Sequence, residues 1–181
     1  MNNRNWMWFF VQVVLSGLLT VPLAAQQSSP TGTEGQREAM KKLAFLVGHW
    51  TGPVTIARGP GEPLRLTQTE NVEYKLDGLV LLIQGQSAGA DGKAQFQALA
   101  TIAYDEASGS YRFRAYNAGH YVDTELALEP AGFSWRYNAG TAKVQNIMHL
   151  TSNGDWQETA DLTFGSNPPR RSVEMLLARQ R

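Results

Sequence analysis

From Trp50 to the C-terminus, apolar and polar residues alternate in short runs, and glycine, proline, asparagine and aspartate punctuate them at regular intervals. Turn signals fall at Gly59 to Pro63, Asp77-Gly78, Asp91-Gly92, Asp105 to Gly109, Ala118-Gly119, Pro130 to Gly132, Ala139-Gly140, Asn153-Gly154 and Asn167 to Pro169. They separate ten strand-like runs of about 7–11 residues, the spacing of an antiparallel sheet or barrel. No run between the turns is long and periodic enough for a crossover helix, which excludes parallel α/β architecture. The pattern predicts an all-β domain: a single antiparallel up-and-down β-barrel of about ten strands with a short N-terminal helix.

The turns also predict register, and the alternation tests it. Turning at Asp77-Gly78 sets Tyr74 opposite Leu81 and Val72 opposite Ile83. Turning at Ala118-Gly119 sets Phe113 opposite Thr124 and Ala115 opposite Val122. The same turn sets Arg114 opposite Asp123 and Arg112 opposite Glu125 on the other face. Turning at Ala139-Gly140 sets Trp135 opposite Val144. Apolar meets apolar and charge meets opposite charge, so one face of the sheet is apolar and the other mixed.

Ahead of the strands, Arg37 to Val47 has helical periodicity. Met40, Leu43, Ala44 and Val47 share a stripe that Phe45 and Leu46 widen, Lys41 and Lys42 face away, and Gly48 stops it. So short a helix needs tertiary packing to persist, and a barrel mouth provides it.

Upstream, residues 1–25 read as a cleavable signal peptide. Arg4 supplies the positive start, Trp6 to Leu19 the apolar stretch, and Pro22 to Ala25 the small residues before a cut near Gln26. The competing reading is a retained membrane anchor, but the apolar run falls short of the roughly 20 residues a span prefers. A lipoprotein is excluded, because the chain has no cysteine to carry the lipid. Residues 26–36, rich in Ser, Gly, Thr and Gln, read as a flexible linker. Residues 37–181 then read as one barrel domain with a substantial core. The expected location is periplasmic or secreted.

Sixteen basic residues balance sixteen acidic ones, so no net field attracts nucleic acid or acidic membranes. The absence of cysteine removes disulfides, thiolate metal sites and cysteine nucleophiles together.

Gly48-His49-Trp50 matches the G-x-W opening of the lipocalins, and with the strand train behind it the chain resembles the calycins. This superfamily includes lipocalins, fatty-acid-binding proteins and nitrobindin-like barrels. A basic residue on the last strand of such proteins packs over the tryptophan, and the resemblance implies that role for Arg179 over Trp50. The segments Leu43–Gly52, Tyr111–Tyr116 and Tyr121–Glu125 also resemble a bacterial domain family of unknown function. Its members carry L-A-F-L-V-G-x-W-x-G, Y-R-F-R-A-Y and Y-V-D-T-E. That likeness implies a barrel and brings no activity.

Nitrobindin-like barrels hold haem through a histidine on a late strand. Here Ser172 to Arg179 has none, parity points His149 outward, His120 lies beside a tight turn, and His49 points away from Trp50. Haem is therefore not expected unless a bulge flips His149 inward. Asp123 and Glu125 share a strand face, but pairing with Arg114 and Arg112 on the outer wall accounts for them better than metal ligation. No metal and no cofactor is expected.

Polar residues that interrupt the apolar face matter more. Gln68 and Glu70 share parity with Leu66, Val72 and Tyr74; Asn146 with Val144 and Met148; Glu158 with Trp156, Ala160 and Leu162. If that face lines the barrel, Gln68, Glu70, Asn146 and Glu158 project inside beside Tyr74, Trp135 and Tyr137. An apolar cavity with a few convergent polar groups is the usual form of a small-molecule site. The alternative places them at the rim or in a filled, hydrogen-bonded core.

No nucleophile-elbow, P-loop, dinucleotide-binding or H-E-x-x-H motif is present. The expected function is binding of a small, largely apolar ligand. The alternatives are a structural or interaction barrel with a filled core, and a small hydrolase or isomerase using Glu70 or Glu158. Oligomeric state is not legible in the sequence.

Overall fold

The computed structural model describes residues 33–181. The signal-peptide reading of residues 1–25, and the linker reading up to residue 32, lie outside the described residues. A helix α1 (Glu34–Lys41) leads through a 3₁₀ turn at Ala44–Leu46 into ten strands. These are β1 (Gly48–Ile56), β2 (Leu64–Lys75), β3 (Val80–Ala88), β4 (Ala94–Asp105), β5 (Ser110–Asn117), β6 (His120–Glu129), β7 (Gly132–Ala139), β8 (Ala142–Leu150), β9 (Trp156–Phe164) and β10 (Arg170–Arg179). Each strand pairs antiparallel with its neighbours in sequence, and β1 pairs with β10, so the sheet is a closed barrel. No helix among the described residues is long and apolar enough to cross a membrane.

The register follows the turns. Tyr74 faces Leu81, Val72 faces Ile83, Ala115 faces Val122 and Arg114 faces Asp123. Ala118 and Gly119 form a two-residue loop, both with positive φ (49° and 79°), as a type I′ hairpin requires.

One expected pairing is corrected. Trp135 lies opposite Asn146, and it is Tyr137 that lies opposite Val144. Ala139 pairs with Ala142, so the loop is Gly140 and Thr141, with Gly140 at φ 59° in its first position. Glycine is wanted there in a II′ hairpin, which moves the turn one residue along. The shift is even, so no side chain changes face, but Asn146 is brought beside the tryptophan.

The expected helix over Arg37–Val47 is corrected as well. It begins at Glu34, and α-helical hydrogen bonding stops at Lys41. The Tyr74 hydroxyl donates to the Met40 carbonyl at 2.6 Å and the Tyr111 hydroxyl to the Ala39 carbonyl at 2.7 Å. Those carbonyls would otherwise carry the next helical turn. The Leu43 amide bonds instead to Met40, three residues back, and the chain tightens into the 3₁₀ turn. The apolar stripe still packs as a plug, with Met40, Leu43 and Leu46 fully buried.

This plug closes the end of the barrel formed by the β2–β3 and β4–β5 loops, where Arg37 also pairs with Asp77 at 2.8 Å. Trp50 lies just inside, 1% exposed, donating its indole N–H to the Leu46 carbonyl at 2.8 Å. Its ring meets Trp156 edge-on at 5.7 Å, and the Arg179 guanidinium sits 4.0 Å over its face. Arg179 also donates to the carbonyls of Phe45 and Val47, tying the last strand to the plug. At the same seam Gly52 lets β10 approach, since a side chain there would strike the Leu176 carbonyl.

The outer wall carries the expected ion pairs. Asp123 accepts from Arg114 Nε at 3.0 Å and from Arg112 Nη2 at 2.7 Å, and these bonds hold its carboxyl below the usual range, Arg114 foremost. Glu125 stands 3.8 Å from Arg112.

Trp50→Ala should cost about 3–5 kcal/mol in urea unfolding, because it opens a cavity under the plug and removes the ring beneath Arg179. A near-neutral result would remove Trp50 from the barrel floor.

Candidate functional site

With one end plugged, the other end is where β5 and β6 meet at Asn117 and His120 and where β3 ends and β4 begins. Below that rim lies an interior cavity of about 390 Å³. One wall is small: Gly85 on β3, Ala98 and Ala100 on β4, and Ala115 on β5. The facing wall is aromatic: Phe133, Trp135 and Tyr137 on β7 and Trp156 on β9. Phe113 and Phe133 brace Trp135, with ring centres 4.8 and 5.5 Å away. The cavity exists because short side chains on adjacent strands leave space that the aromatic wall does not fill.

Glu70, Asn146 and Glu158 project into it. A narrower lobe of about 200 Å³ continues past Glu70 and Glu158 toward β1 and β10, and Gln68 and Ser87 line it. The two glutamates therefore stand where the lobes join. Both lie deep in the barrel, and the surface they keep faces the cavity.

Their surroundings are specific. Gln68 Nε2 donates to Glu70 Oε1 at 2.7 Å, and the Ser87 hydroxyl donates to Gln68 Oε1. Glu70 Oε2 is buried with no partner. Trp156 donates its indole N–H to Glu158 Oε2 at 3.0 Å. Asn146 is 6% exposed, and its Nδ2 also has no partner.

Gly85 pairs with Glu70 across β2 and β3. A Cβ at Gly85 would stand 2.7 Å from both Glu70 carboxyl oxygens and 3.0 Å from Gln68 Nε2. Here the glycine serves space, admitting the carboxyl between the strands.

Burial raises both acids. Glu158 moves from the model-peptide value of 4.5 to about 7, against the opposing pull of the Trp156 hydrogen bond. Glu70 rises to about 8, through burial first and the charge of Glu158 second, with the Gln68 bond pulling down. The two acids are coupled, so a charge on Glu158 favours keeping the proton on Glu70. Tyr137, on the facing wall, is raised by burial and by the same Glu158 charge.

Of the residues expected inside, Glu70, Trp135, Tyr137, Asn146 and Glu158 meet around one cavity and Gln68 supports them from the adjoining lobe. Tyr74 is on the same face but at the plugged end, bonded to Met40. His149 and His49 are exposed. Strand β8 pairs without interruption on both sides, so no bulge turns His149 inward. His120 stands at the open rim.

Sequence reasoning passed over Gly85, Ser87 and Trp156 as site residues. Gly85 carried a signal, being a glycine inside a strand with no turn beside it. A wider groove of about 880 Å³ runs along the outer wall over Gln84, Gln97, Leu99 and Tyr116. It is shallow and open, and the buried unpartnered polar atoms are in the interior.

The ten-strand closed barrel with its G-x-W floor, basic last-strand residue and interior cavity is a calycin-like barrel. The chain belongs to the family described as "Protein of unknown function (DUF1579)", whose model matches residues 36–167. It is also similar to the crystal structure of Rv2717c from M. tuberculosis, with a TM-score of 0.61 at 12% identity, over 79% of this chain and 98% of that one. That likeness is one of fold. No curated protein matches the chain in sequence.

A carboxyl whose folded pKa lies above its unfolded value makes the folded state the better proton binder between the two. The stabilisation from Glu70 and Glu158 is complete below about pH 4.5 and is lost as pH rises through about 7 and 8. Urea midpoints should fall over that window, and Glu158→Gln should flatten the fall. A midpoint independent of pH there would mean the pair is solvated.

Proposed function

We propose that this protein binds a small, largely apolar molecule with a polar head inside its barrel. The observation that carries the reading is an aromatic-walled interior cavity of about 390 Å³ lined also by the polar side chains of Glu70, Asn146 and Glu158. A few polar groups in an otherwise apolar and aromatic cavity are the usual form of a small-molecule site. A barrel built only as a scaffold would fill this space with larger side chains in place of Ala98, Ala100 and Ala115.

The raised pKa values of Glu70 and Glu158 support a second reading, an isomerase or hydrolase that uses one of them as general acid or base. Turnover of the bound molecule would distinguish it from simple binding.

Export is part of the proposal and rests on the leader-like residues 1–25. The full chain, produced in a bacterial host and recovered from the periplasm, should have a mass that starts near Gln26. An intact Met1 or a cytoplasmic location would remove the export reading.

Native mass spectrometry of the same material, purified without denaturant, should show an excess mass that disappears on unfolding. A clean apo mass, together with failure of an apolar fluorescent dye to enter the interior, would favour a filled structural barrel.

A further inference from the structure

We propose that the interior glutamate pair is a receptor for a cationic head, a protonated amine carried on an apolar body. This deepens the binding reading above and rests on it.

Glu70 and Glu158 are each held by one neutral donor, Gln68 Nε2 and the Trp156 indole. Glu70 Oε2 keeps its acceptor free within the barrel. Neither lobe is lined by a lysine or an arginine. The other titratable groups that line the cavity are Tyr137 on β7, Tyr116 on β5, and Tyr121 and His120 on β6, the last three near the rim. Strands β1, β3, β4, β8 and β10 present only uncharged residues to it. Two acids therefore share one interior space lined by no protein cation, and a ligand's cation can take the place of a proton they retain.

Three features shape the space for an ammonium group. Gly85 admits the Glu70 carboxyl between the strands and so sets it where the two lobes join. Trp135, Trp156 and Tyr137 line the cavity with aromatic surface, beside which a cation is favoured. Asn146 lines the same cavity, and its side-chain amide can pair with a polar group beside the amine. A carboxylate head, by contrast, would bring a third acid beside two others.

The proton balance follows. Near neutral pH the empty pair retains protons. An entering R–NH₃⁺ keeps its own proton and drives one from the pair to solvent. An alkylammonium stays charged to about pH 10, as lysine does. Binding therefore tightens as pH rises through about 7 to 8.

The test uses three probes of equal chain length, octylamine, octanol and octanoate, titrated into the apo protein and followed by tryptophan fluorescence. Trp135 and Trp156 line the cavity and report directly. At about pH 8, octylamine should bind at least about tenfold more tightly than octanol, the worth of one charge-assisted bond, with octanoate weakest. Calorimetry at about pH 6.5, where the pair still holds its protons, in two buffers of different ionisation enthalpy should show proton release with octylamine and none with octanol. In Glu70→Gln/Glu158→Gln protein the octylamine preference should vanish while octanol binding remains. The calorimetric arm needs no variant and stands if the double substitution fails to fold. If octanol binds as tightly as octylamine and no proton is released, the cationic-head proposal is overturned and the cavity reading stands. If none of the three probes perturbs the tryptophans, the cavity reading falls with it.

Discussion

Everything inside this protein depends on the seam where β10 meets β1. Trp50 pairs across it with Arg179, and Val54 with Met175. Between those pairs Gly52 admits the Leu176 carbonyl. Closing the sheet removes both of its edges, so every strand has two hydrogen-bonded neighbours and every second side chain is committed to the interior. The helix plug, the tryptophan floor and the last strand are then held by one guanidinium that touches all three. A barrel closed in this way can leave space in its middle, because its integrity comes from the wall and one sealed end.

How that space is furnished is a separate matter. Small side chains on β3, β4 and β5 face aromatic ones on β7 and β9, and two carboxyls stand between them. Neither acid helps the fold at neutral pH, since each must be kept protonated or bear a desolvated charge. The hydrogen-bonded chain from Ser87 through Gln68 to Glu70 nevertheless fixes one acid in place. Such organisation around a destabilising group is characteristic of function.

Much of the fold was legible before any coordinates, because period-two alternation and glycine-bearing turns constrain each other. The inward set of Glu70, Trp135, Tyr137, Asn146 and Glu158 follows from parity alone. What parity cannot read is distance along the strand. Trp135 was expected beside Val144 and stands beside Asn146, because Gly140 occupies the first loop position. Tyr74 shares the inward face yet serves the plug. The helix tightens into a 3₁₀ turn at carbonyls that also accept two tyrosine hydroxyls, one of them 72 residues away in sequence. Nor does sequence reading easily find a cavity, since a cavity is made by side chains that are not there: glycine and alanine at inward positions.

The plug gives the molecule a polarity. Helix α1 and the end of β10 both lie at the sealed end, while the rim at Asn117 and His120 is at the other. Both ends of the described chain therefore leave from the floor of the vessel. Whatever tethers the protein through either terminus, whether a surface, a fused domain or a column matrix, leaves its opening pointing away from the attachment and free to exchange with solvent.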